Sequence, residues 1–122
     1  MANSAIAYVK FNQFIFDPNE LVNIKTSLEC LLGYELNYTD VGPNHQADIP
    51  VPTSSTLIQR ISVPRGAEVL TVSFAGVTPA TMFAENNEHD IKKAFQKAIS
   101  ERLSFILDVP VLKSSILVFL FD

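Results

Sequence analysis

An α+β domain is what three features of this 122-residue chain predict. Stretches with period-two alternation of apolar residues surround two stretches with helical spacing, in the order strand–helix–strands–strand–helix–strand. The chain is 48% hydrophobic and only 18% charged, which is enough for one core and more apolar material than a small monomer ordinarily buries. Its last strand is apolar on both faces, so both faces need cover. The expected structure is a single domain over residues 1–122, a two-layer sandwich in which two strand–helix–strand units share one mixed sheet. Both helices would lie on one face, and the other, open face would meet another subunit.

Each element has its own signal. Over residues 5–16, Ala7, Val9, Phe11 and Ile15 alternate with Tyr8, Lys10 and Asn12, a strand whose end carries Phe14 and Phe16 on the second face. Asp17-Pro18-Asn19-Glu20 then forms a helix start: Asp17 to cap free N–H groups, Pro18 for the first helical position, Glu20 for the reciprocal cap. Leu21, Ile24, Leu28 and Leu31 follow at helical spacing, and Gly33 supplies a left-handed stop. Residues 34–39 alternate as a short strand, and 40–55, with Gly42, Pro43, Pro50 and Pro52, read as a long loop. Residues 56–63 and 68–75 are strands joined by a tight turn at Pro64-Arg65-Gly66. Residues 76–86 are a second loop.

The second helix, 87–107, places Ile91, Phe95, Ala98, Ile99, Leu103 and Ile106 on one side. Lys92, Lys93, Gln96, Lys97, Ser100 and Glu101 lie on the other. Val109-Pro110 ends it, and 115–121 is the closing strand.

Composition narrows the function classes. A net charge of −4 with nine scattered basic residues argues against a nucleic-acid partner. The longest apolar run, Ile116–Phe121, is far short of the roughly 20 residues that span a bilayer, so no membrane partner is expected. No secretory signal is readable at the start. Cys30 stands alone and forms no intrachain disulfide, which suits a reducing compartment. His45 and His89 are far apart in sequence with no accompanying ligand set, so neither a metal nor a cofactor is expected. Glu85, Glu88 and Asp90 complement the dipole at a helix N-terminus.

Several stretches together resemble the macrophage migration inhibitory factor and tautomerase superfamily: 57–64 (LIQRISVP), 69–76 (VLTVSFAG), the Asn86-Asn87 step, 98–103 (AISERL) and 107–122 (LDVPVLKSSILVFLFD). The resemblance covers roughly half the chain. It implies trimers of two-layer subunits, a cytoplasmic protein open to leaderless secretion, and a pocket at the subunit junction. Enzymes of that family use an N-terminal proline as general base, a role that a desolvated amine can fill. Here the residue after the initiator Met is Ala2. The family's lysine after the first helix falls at Tyr34, and the polar positions of its last strand fall at Leu117 and Phe119, so only the backbone at Ala75 and Gly76 has its counterpart.

The expected function is therefore a homotrimeric binding or interaction module, cytokine-like and without proline chemistry. Tyr34, Ala75, Gly76, Leu117 and Phe119 would line a pocket for a small apolar or aromatic ligand. One alternative is a divergent tautomerase or isomerase of small keto–enol substrates, with the Ala2 amine as base. Another keeps the element order but drops the family: a ferredoxin-like binding scaffold whose last strand pairs edge to edge in a dimer.

Overall fold

The computed structural model describes residues 4–11, 18–31, 38–51, 59–75 and 87–121. In chain order these form β1 (Ser4–Phe11), α1 (Pro18–Leu31), β2 (Tyr38–Asn44), β3 (Asp48–Val51), β4 (Gln59–Ser62), β5 (Glu68–Ala75), α2 (Glu88–Leu107) and β6 (Ile116–Phe121), with a 3-10 turn at Lys113–Ser115 leading into β6. The class is α+β.

Four strands make one sheet in the order β2-β5-β1-β6, and every neighbouring pair is antiparallel. Strands linked through a helix do point the same way, as helical crossovers favour. Each such pair is split, however, with β5 lying between β1 and β2, and β1 between β5 and β6. The expected mixed sheet is thus corrected to an antiparallel sheet of split strand–helix–strand units.

Alternation along the strands sends one set of side chains to each face. Ala5, Ala7 and Val9 of β1, Leu70 and Val72 of β5, and Ile116 and Val118 of β6 pack with the helices. The helices answer with Ile24 and Leu28 from α1 and Ile91, Phe95, Ile99 and Leu103 from α2. Asn87 caps α2, its side-chain oxygen accepting from the Asp90 N–H at 2.9 Å. The helix ends at Asp108, which takes the left-handed conformation with φ 55°. Ser100 donates to the Val111 carbonyl, and the Val111 N–H donates to Ser104 Oγ at 2.9 Å, tying the following segment back to the helix.

The second face differs from expectation. Antiparallel β3 and β4 form a two-stranded ribbon. Its inward residues Ile49, Val51 and Ile61, with Val63 and Ala67, pack on Tyr8 and Val69, while Ile6 and Phe119 lie against the same cluster. The chain itself therefore covers part of the face that was expected to stay open for another subunit, and the molecule has three layers rather than two.

The ribbon was hidden by proline. Residues 40–55, read as a loop, contain most of β2 and all of β3. Among the described residues β3 pairs on one side only, the edge position at which a strand tolerates Pro50. The turn at Pro64-Arg65-Gly66 is as expected: Gly66 has φ 82° and the Ala67 N–H donates to the Pro64 carbonyl at 3.0 Å, as a type II turn requires. The expected extension of β1 through Phe14 and Phe16, the Asp17 cap, the Gly33 stop and the loop 76–86 lie outside the described residues.

Candidate functional site

The residues singled out in the sequence do not converge among the described parts of the structure. Ala2, Tyr34 and Gly76 lie outside them. Ala75 ends β5, with Tyr38 of β2 as its partner in register. Leu117 sits opposite Tyr8 on the sheet's outer strand β6 and is 37% exposed. Phe119 has a packing partner within its own chain. It is partly buried in the ribbon-side cluster, and its ring meets Tyr8 edge-on with centroids 6.0 Å apart.

Tyr8 is the polar centre of that second core. It is 2% exposed, and its hydroxyl donates to the Pro50 carbonyl of the ribbon at 3.4 Å. Burial pushes the phenol above its ordinary value of 10. The unfolded chain ionises from that ordinary value upward while the folded chain keeps its proton, so the folded state binds more protons there. Stability is unaffected below about pH 10 and falls as pH rises from there toward the folded value. Urea unfolding at about pH 8 and about pH 10.5 should show this decline in the native protein and a smaller one in Tyr8→Phe.

His45 and Glu68 form a second polar pair. Extending the register of β2 and β5 by one residue sets them opposite each other, and Nε2 lies 4.0 Å from Oε1. The Glu68 side chain is buried and the His45 ring exposed. Among the described residues no group of histidine, cysteine and acidic side chains could hold a metal ion.

Charge and concavity coincide elsewhere. Lys93, Ala94, Gln96 and Lys97 of α2 and Lys113 of the 3-10 turn line a groove of about 400 Å³. Gln96, one of the lining residues, donates through Nε2 to the Ile116 carbonyl at 2.8 Å, a bond that ties the helix to the start of β6. Lys113 lines the same groove as Lys93 and Lys97, and all three lysines are exposed. Lys93 and Lys97 are four residues apart on one helix, a like-charge spacing that costs roughly 0.2–0.5 kcal/mol unless an anion lies between them. The three lysines thus set three positive charges along one groove.

Half of this groove was visible in the sequence, where Lys93 and Lys97 fall on the polar side of the second helix. Lys113 joins them only through tertiary packing, and no local pattern announces it. A smaller groove of about 200 Å³ lies on the other side of the turn, lined by Lys10, Phe11, Pro110, Val111, Leu112 and Ser115. No described helix is long and apolar enough to cross a membrane. Comparison of the chain with protein-family models, with curated proteins and with solved structures finds no match.

Proposed function

We propose that the chain is a binding scaffold of the ferredoxin-like type that holds an anionic group of its ligand or partner in the groove between α2 and the 3-10 turn. The carrying observation is that Lys93, Lys97 and Lys113 line one concavity in a chain whose net charge is −4. Overall charge repels anions, so retention of one depends on this local reversal of sign.

The strand order favours the ferredoxin-like reading over the tautomerase-like one. The main sheet's strands β1, β2, β5 and β6, split and antiparallel around the two helices, have the arrangement that scaffold uses. The scaffold carries no chemistry by itself, and a function on it must be argued from the site.

Titration calorimetry with inorganic tripolyphosphate tests the proposal. Saturable binding is expected, weakened at least about tenfold by Lys97→Glu and by raised salt. All three lysine side chains are exposed, so the substitution leaves the core intact. Absence of binding by the native protein, or equal binding by Lys97→Glu, would refute the assignment.

A further inference from the structure

Among the described residues the two outer strands of the sheet are β2 and β6, and they differ in how their outer edges are protected. In β2, Pro43 stands opposite Leu70. A proline has no N–H for a ladder, so this pair is not hydrogen-bonded, and the Leu70 backbone groups point to β1 instead. The β2 edge is thus blunted where Pro43 faces outward. The sequence of β6, ILVFLF, contains neither proline nor charge.

The direction of each β6 backbone group follows from two independent observations. The Ile116 N–H donates to the Lys113 carbonyl, and the Ile116 carbonyl accepts from Gln96 Nε2. Neither goes to Val9, its register partner in β1. Leu70 points to Val9 by the proline argument, which likewise turns Val9 away from β6. Antiparallel pairs alternate. Leu117 and Phe119 therefore bond to β1, while the N–H and C=O of Val118 and Leu120 face the free edge, where no described strand meets them.

We propose that two copies of the chain pair antiparallel along β6 about a twofold axis at Phe119, joining their sheets into one. With the axis there, the Val118 N–H and C=O bond the Leu120 groups of the second copy, and Leu120 bonds Val118 in return. Every outward group between residues 118 and 120 is then satisfied. Shifting the axis to Val118 would set Leu120 against the Ile116 groups of the second copy, which Gln96 and Lys113 already occupy. An axis at Leu120 would leave Val118 without a partner inside β6, so of the registers centred on residues 118, 119 and 120 only the one at Phe119 pairs both outward residues within the strand. A second copy is the occupant because an uncharged strand meets its own image without like-charge repulsion. The pairing also draws Leu117, 37% exposed, into the junction. This inference takes from the ferredoxin-like reading only its strand order, and its test involves no anion.

Light scattering should give two chain masses for the native protein. Leu120→Pro removes an N–H that faces outward, so it should keep a native-like circular dichroism spectrum at one chain mass. Leu117→Pro removes an N–H bonded to β1 and should lose the fold. Amide hydrogen exchange on the native protein needs no substitution: Val118 and Leu120 should be as protected as Leu117 and Phe119. A native mass of one or three chains, a dimeric or unfolded Leu120→Pro, or fast exchange confined to Val118 and Leu120 would each overturn the proposal.

Discussion

Phe119→Asp is expected to lower the unfolding free energy by about 3–5 kcal/mol, a large part of the 5–15 kcal/mol typical of a domain. The ring it removes lies partly buried where the sheet meets the ribbon, edge-on to Tyr8. Three losses combine: apolar contact with the second core, an aromatic pair worth about 0.5–1.5 kcal/mol, and the desolvation of a new carboxylate. The third has a pH signature. A carboxyl in this apolar setting resists ionisation, so the variant should lose less stability at about pH 4 than at about pH 7. Phe119→Leu, which keeps an apolar group, should lose well under half as much. Urea unfolding of both variants at the two pH values checks the argument, and equal stability of Phe119→Asp and native protein would refute the placement of this ring.

The sequence alone leads to a different site of damage, because it assigns Phe119 to a subunit junction. Alternation along the last strand puts Leu117 and Phe119 on one face, but it cannot say what covers that face. The cover is β3 and β4, and β3 is short and interrupted by Pro50, features that locally resemble a loop. Elements with dense local signals are read well: β5 runs Glu68–Ala75 as expected, and α2 starts and stops where Asn87 and the segment after Leu107 direct. The sheet's connectivity is less legible, since the same element order fits parallel neighbours or split antiparallel ones. The choice is made by long-range pairing. The groove is half legible for the same reason: helical spacing sets Lys93 near Lys97, and only packing brings Lys113 to them.

Phe95→Ala should cost about 3–5 kcal/mol, the range for truncating a fully buried aromatic residue. Phe95 has no exposed surface and lies midway along the buried stripe of α2, with Ile91 before it and Ile99 and Leu103 after it. These positions recur at three- and four-residue intervals, so they form one face, and that face meets α1 and the helix side of the sheet. Removing the ring opens a cavity at the junction of these layers, where neighbours anchored in strands and helices relax only in part. Phe105 on the same helix supplies the control. It is 79% exposed and rests near the Arg102 guanidinium, 6.0 Å from its ring centroid. Phe105→Ala gives up that exposed cation–π contact and little else, about 1 kcal/mol or less. The two variants delete the same atoms from the same helix, so the difference between their urea midpoints isolates burial from helix propensity. Equal losses would mean that the buried stripe of α2 does not face the sheet.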